Sequence, residues 1–286
     1  MNAQRALFAV LTLLITAMAC VVPGLPIASQ TEPTADTRLE IMVAETVSAA
    51  LQQTQQAVPA PTMARVSTST PQPTTIPPSP TPDMDDSGSA INRLEDNSAQ
   101  FIDMKVGYEI IIPVGWLPIR INSQEYLDAW LLPELSNPAM QRSLGSIERM
   151  NPDEVRLFVL DIQEGHTEID FVTNINFFWD QNNNISFEND EDLKAIAAAL
   201  PESFFGLEVT AAELSATATG IPAGLITSKT MITTPDGVKV EMFQKQVFVN
   251  SKIGMLIITL STTEELKQAI LPQFDGIIAA LKVSNQ

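Results

Sequence analysis

Apolar and polar positions alternate in different ways along the chain. Residues 6–19 form one uncharged, almost wholly apolar run. From about residue 100 onward, short apolar runs recur with period two or with helical spacing, and turn residues separate them. The pattern predicts strands over 108–113, 155–160, 170–179 and 207–215. A turn at Gly115-Trp116 leads into a further short strand. Ser123 is placed to cap a helix carrying Tyr126, Leu127, Trp130 and Leu131. Asn137-Pro138 opens a second helix with Leu144 and Ile147 inward. Asn189 or Asp190 starts a third, with Leu193, Ile196 and Leu200 inward. Then a meander follows: strands over 225–232 and 238–249 flank Pro235-Asp236-Gly237, a strong hairpin signal, and 250–254 turns into a strand over 255–260. Thr262 and Glu265 have the spacing of a capping box. The last helix aligns Leu266, Ile270, Phe274, Ile277, Ile278 and Leu281, with Pro272 expected to kink or restart it.

Strands joined by tight turns pair antiparallel. The expected fold is therefore α+β, a central antiparallel sheet covered by helices on both faces. On that reading Phe177, Phe178 and Trp179, consecutive on one strand, are all core residues.

The region before this pattern has another character. All three tryptophans and both tyrosines lie after residue 100, whereas residues 68–90 are dominated by Pro, Thr and Ser. Such a stretch cannot bury enough apolar area to offset its ordering entropy. It reads as a polyproline-type linker, and 20 extended residues reach roughly 60 Å. One piece, 36–57, lacks Pro and Gly and sets Leu39, Met42, Val43, Thr46, Val47, Ala50 and Leu51 on one helical face. A helix this narrow is marginal alone and reads as a transiently helical part of the linker. The expected organisation is a signal over 1–19, a stalk over 20–90 and one folded domain over 91–286.

Charge narrows the partners. The chain carries −18. Three of its 16 basic and seven of its 34 acidic residues precede residue 91, which leaves the domain at −14. Nucleic acid and anionic lipid surfaces would repel it. Cations, basic proteins and neutral ligands remain open as partners.

The single cysteine, Cys20, excludes an intrachain disulfide and a multi-cysteine metal site. It stands directly after Ala17-Met18-Ala19, at the end of the apolar run that follows Arg5. Basic start, apolar centre and small-residue end are the parts of a secretory signal. Ala17-Met18-Ala19-Cys20 resembles the bacterial lipobox, although Ala17 stands where leucine is commonest. That resemblance implies cleavage before Cys20, lipidation of its thiol and acylation of the new N-terminus. The chain would then sit on the extracytoplasmic face of the cell membrane, held there by its N-terminal lipid.

Candidate chemistry is sparse. His166 is the only histidine. No Gly-x-Ser-x-Gly accompanies it, so it reads as a loop residue. Dinucleotide- and phosphate-loop fingerprints are missing, and no cofactor is expected. Asp180, Asn182, Asn184, Ser186, Glu188 and Glu191 fall at calcium-loop spacing, but Ile185 occupies the position of the required glycine and a strand precedes the loop. The same residues serve as an Asn/Asp-rich loop that caps a helix, and no metal site is assigned.

Phe101 followed by Gly107-Tyr108-x-Ile110-x-x-Pro113-x-Gly115-Trp116, Pro222-Ala223-Gly224 before the meander, and Gln273-Phe274-x-x-Ile277-Ile278-x-x-Leu281-Lys282-Val283 at the end resemble the PsbP-like superfamily. That superfamily includes DcrB- and LpqN-like bacterial lipoproteins. The resemblance covers roughly residues 100–284 and implies an α/β/α sandwich. It further implies a binding or assembly protein and not an enzyme. These are packing and turn residues, so they speak to fold alone. The function class expected is a non-catalytic, surface-tethered module, with an envelope-polymer hydrolase using paired carboxylates as the alternative.

Overall fold

The computed structural model describes residues 87–167 and 171–284. The signal, Cys20, the stalk and the helix expected over 36–57 lie outside the described residues.

Eleven strands are seen among the described residues. They are β1 (Ser89–Arg93), β2 (Ala99–Asp103), β3 (Tyr108–Ile112), β4 (Trp116–Ile119), β5 (Val155–Asp161), β6 (Asn174–Asp180), β7 (Glu208–Ala216), β8 (Pro222–Thr233), β9 (Lys239–Asn250), β10 (Met255–Thr263) and β11 (Lys282–Val283). The helices are α1 (Gln124–Ala129), α2 (Pro138–Ile147), α3 (Glu191–Ser203) and α4 (Lys267–Ala279), with one 3-10 turn at Pro133–Leu135. Every strand pair is antiparallel. The class is α+β.

Two sheets form where one was expected. A seven-stranded sheet in the order β4-β5-β6-β10-β9-β8-β7 is central, and a four-stranded sheet in the order β1-β2-β3-β11 is separate from it. One face of the central sheet packs on α1, α2 and α3 through Tyr126, Leu144, Ile147, Leu193 and Leu200. The other packs on the small sheet and α4 through Phe101, Ile110, Ile270 and Phe274. Helices thus cover one face, and a small sheet with one helix covers the other. β1 and β2 carry Asn92, Arg93, Gln100 and Asp103 among few apolar residues, so five-residue strands like these give little periodic signal. β1 begins at Ser89, two residues before the expected start of the domain.

Local chemistry explains most elements. The Asn137 side chain accepts from the Ala139 amide at 2.8 Å, with Pro138 in the first helical position. α3 buries Leu193, Ile196, Ala197 and Leu200, the i, i+3, i+4, i+7 stripe of an amphipathic helix. Gly237, at φ +81°, closes the β8–β9 hairpin, and its amide reaches Thr234 O at 2.9 Å. Phe177, Phe178 and Trp179 are all buried, because both faces of β6 are covered.

Several local details differ from the sequence pattern. In α1 the buried residues are Tyr126 and Ala129, whereas Leu127, Trp130 and Leu131 are exposed. The apolar residues there surround a six-residue helix, so spacing could not choose its inner face. Ser123 occupies the N-cap position of α1 but makes no side-chain cap bond; its hydroxyl donates to Arg120 O. The strand expected from 170 begins at Asn174. The capping box at Thr262 and Glu265 does not form. β10 extends to Thr263, Thr262 Oγ1 meets Thr173 Oγ1 at 2.9 Å, and α4 starts only at Lys267. α4 runs on through Pro272 as one helix.

A buried ion pair joins the two sheets. β5 bulges between Val155 and Leu157, and the extra residue, Arg156, turns toward the small sheet. Its Nε donates to Asp103 Oδ2 at 2.7 Å, and its two terminal nitrogens reach Pro152 O and Ser87 O at 3.0 and 2.9 Å. Asp103 Oδ1 accepts from the Lys105 and Val106 amides at 2.9 and 3.0 Å. Burial beside this pair pushes the pKa of Tyr108 well above its usual value, and the Asp103 charge adds to the effect.

Candidate functional site: the amide face of the central sheet

Strand pairing builds an uncharged polar surface at the centre of the large sheet. β6 alternates Asn174, Ile175, Asn176, Phe177; β9 alternates Gln244, Lys245, Gln246, Val247; β10 alternates Thr259, Leu260, Ser261. With a side-chain period of two, Asn174, Asn176, Gln244, Gln246, Thr259 and Ser261 all point to the same face. Register then aligns them in two rows across three adjacent strands. One row is Asn174–Ser261–Gln244, and the next is Asn176–Thr259–Gln246. At ~4.8 Å between strands and ~6.8 Å between like-facing residues, the six span roughly 10 Å by 7 Å.

The surroundings are largely apolar, with Ser228 of β8 extending the first row beside Gln244. Leu160 and Phe158 of β5 pair beside the two rows on one side, and Ile226 of β8 extends the second row on the other. The next row along the sheet is Phe178–Ile257–Phe248. All of these apolar border residues belong to the cluster that α1, α2 and α3 cover. Each of the six polar residues is at most 1% exposed.

Few of their hydrogen-bonding groups are used. Gln244 Nε2 donates to Ser261 Oγ at 3.0 Å, and Asn174 Nδ2 donates to Val172 O at 3.0 Å. Seven atoms have no partner among the described residues: Asn174 Oδ1, both polar atoms of Asn176, Gln244 Oε1, both polar atoms of Gln246, and Thr259 Oγ1. An unbonded buried polar group costs about 1–3 kcal/mol, so this cluster is the least settled part of an otherwise apolar core.

Sequence reasoning missed this face. Its one signal was the Asn-x-Asn and Gln-x-Gln spacing inside strands, where amide side chains are disfavoured. Alternating polar residues read as solvent-facing, and here the face they line is covered.

His166 and the Asp180–Glu191 stretch were singled out from sequence. His166 lies in a turn after β5, as expected of a loop residue, but it is held. Its Nδ1 is 2.6 Å from Asp161 Oδ2, and Asp161 is fully buried. Asp161 Oδ1 accepts from the amide and side chain of Gln163, both at 3.0 Å. Gln163 in turn meets Gln273, which accepts from Trp116 Nε1 at 2.8 Å. The dyad thus belongs to a network joining β4, β5 and α4. In the second stretch the oxygens bond to their own chain. Asp180 accepts from the Asn182 amide and the Asn183 side chain, Asn189 accepts from the Glu191 amide, and Asp192 accepts from the Ser186 amide. Ile185 is buried, its amide and carbonyl bonded to the Asn250 side chain. Asp190 is the N-cap residue of α3 without a side-chain cap bond.

On the opposite face a concavity of about 250 Å3 opens between β7, β8, β9 and α4. Its charged residues, Lys245 and Asp275, bond each other at 2.6 Å and leave it no net charge to offer. Among the described residues no helix is long and apolar enough to cross a membrane.

No family model matches the chain, and no curated protein matches it. Similar solved structures include cyanobacterial PsbP (CyanoP) from Synechocystis sp. PCC 6803, with a TM-score of 0.40 and 12% identity over 72% of this chain and 98% of that one. LpqN of Mycobacterium tuberculosis, described as involved in cell envelope biogenesis, has a TM-score of 0.38 and 10% identity over 69% of this chain and 91% of its own. PA94 of Pseudomonas aeruginosa, of unknown function, has a TM-score of 0.32 and 13% identity over 69% of this chain and 99% of its own. The fold is α+β by its own strands and helices, the class the sequence pattern predicts. At these scores and identities the likeness says nothing of activity.

Proposed function

We propose that the chain is a non-catalytic binding or assembly module, tethered outside the cytoplasmic membrane by a lipid on Cys20. The observation that carries the reading is the state of the buried carboxylates, the groups that acid–base catalysis would need. The hydrolase alternative needs two carboxylates free to share a substrate. The buried carboxylates Asp103, Asp161 and Asp180 are each bonded within their own neighbourhood.

The tether is tested directly. The Cys20→Ser chain, expressed in a bacterial host, should move from the membrane fraction to the soluble fraction. The unaltered chain should begin at an acylated Cys20 by intact mass, and an unmodified chain beginning elsewhere would sink the tether.

A further inference from the structure

We infer that β7 is a docking edge, to which a basic, extended segment of a partner protein adds as a further strand. The inference rests on the binding or assembly reading above and names the class of partner. Among the described residues four strands lie at sheet edges: β4 and β7 in the central sheet, β1 and β11 in the small one. Three carry the features that keep an edge from pairing with another chain. β4 has four residues, contains Pro118 and is buried throughout. β11 has two residues and starts at Lys282, and β1 has five and ends at Arg93. β7 has nine, without Pro, Lys or Arg, and none of them is buried. Its one guard is the bulge between Val209 and Ala211. Beyond the bulge, residues 211–216 pair regularly with β8, and their other backbone edge has no partner strand.

The second observation is the concavity beside that edge. Register sets Glu213 opposite Leu225 and Ser215 opposite Ala223. Leu225 and Ala223 pack in the cluster that α4 joins, so Glu213 and Ser215 lie on the α4 face of the sheet. The concavity of about 250 Å3 is on the same face, lined by Ser215 and Ala216 of β7 and by Ile278 and Ala279 of α4. A strand added to β7 would lie ~4.8 Å outside it, with every second side chain on this face. Ser215 and Ala216 are small, so a long side chain passes over them into the concavity. Main-chain hydrogen bonds along such an edge give affinity, and a pocket for alternate side chains gives selectivity.

Charge decides which segment fits. Glu208 and Glu213 are the charged residues of β7, and both are exposed. Glu208 shares Lys229 with Glu241, at 3.4 and 4.0 Å. Glu213 stands opposite Leu225, which offers it no countercharge. A lysine or arginine at the facing position of an added strand supplies one, and opposite charges across a strand pair stabilise it. The domain charge of −14 draws in a basic segment and repels an acidic one. A second copy of this chain would bring another −14 and only acidic charges on its own β7, which disfavours self-pairing.

Calorimetric titration and hydrogen exchange on the full-length chain in mild detergent test this. The probe is a capped peptide of alternating lysine and valine, as long as β7. One control is the same peptide N-methylated throughout, which keeps the charge and loses the backbone donors. The other has glutamate in place of lysine. The basic peptide should bind saturably, at least tenfold tighter than both controls, and slow exchange of amides within residues 208–216. Glu213→Lys should weaken it at least tenfold while its far-ultraviolet circular dichroism stays that of the parent. Absence of saturable binding, equal binding of the N-methylated peptide, protection outside β7, or unchanged binding by the variant would overturn the inference. So would protection of β7 that rises with protein concentration alone, which would make the occupant a second copy. The failures are separable. A peptide recovered cleaved would sink the non-catalytic reading, whereas an intact peptide that does not bind would sink strand addition alone.

Discussion

Arg156→Ala should lower the melting temperature of the domain by about 10 °C. The pair it breaks is buried on both sides, with the arginine side chain 2% and the aspartate side chain 0% exposed. Removing one partner leaves the Asp103 charge buried without compensation, which costs about 3–5 kcal/mol. For a domain of this size each kcal/mol is worth roughly 2–4 °C. The loss extends beyond the ion pair, because Arg156 also bonds Ser87 O and Pro152 O and so holds the start of β1 and the loop before β5. Thermal unfolding followed by circular dichroism measures it. A fall of less than 2 °C would show that the small sheet is held by its apolar contacts alone.

Gly254→Ala should destabilise the fold by a similar amount. Gly254 turns β9 into β10 at φ +74°, a conformation that costs an L-residue about 1–2 kcal/mol. A Cβ there would also run into Asp180 O and lie 2.7 Å from Gln181 Cα. Those are backbone atoms at the end of β6 and cannot swing aside, so the turn must shift off its neighbour at a further cost of about 1–3 kcal/mol. Gly237→Ala is the control. Its φ is nearly the same, +81°, but a Cβ would meet nothing within 4 Å. Its loss should be only the backbone part. Equal losses at the two sites, in chemical denaturation of the same chain, would show that the close approach to β6 does not matter.

The sequence foretold some parts of this structure better than others, and the reasons are physical. The meander from β8 to β10 was legible because Pro235-Asp236-Gly237 and the 250–254 turn punctuate long apolar runs. α2 and α3 were legible from Asn137-Pro138 and from the Leu193, Ile196, Leu200 stripe. The second sheet was not, because β1 and β2 are short and mixed, and their burial depends on distant partners such as Arg156. The amide face was hidden for a different cause. Asn176 and Gln246 are separated by 70 positions in the chain, and only the register through Thr259 sets them in one row. Alternation revealed which side chains share a face of one strand; it could not reveal that helices cover that face.

The most direct test of how the core is built is the thermal stability of Asn176→Leu/Gln246→Met. Four of the seven unpartnered atoms vanish in this variant and the apolar volume remains. Exchanging unbonded buried amides for apolar groups of like shape is neutral or stabilising. The variant should therefore melt at or above the temperature of the parent. A melting temperature several degrees below the parent's would contradict this and mean that the fold depends on hydrogen bonds made by these amides.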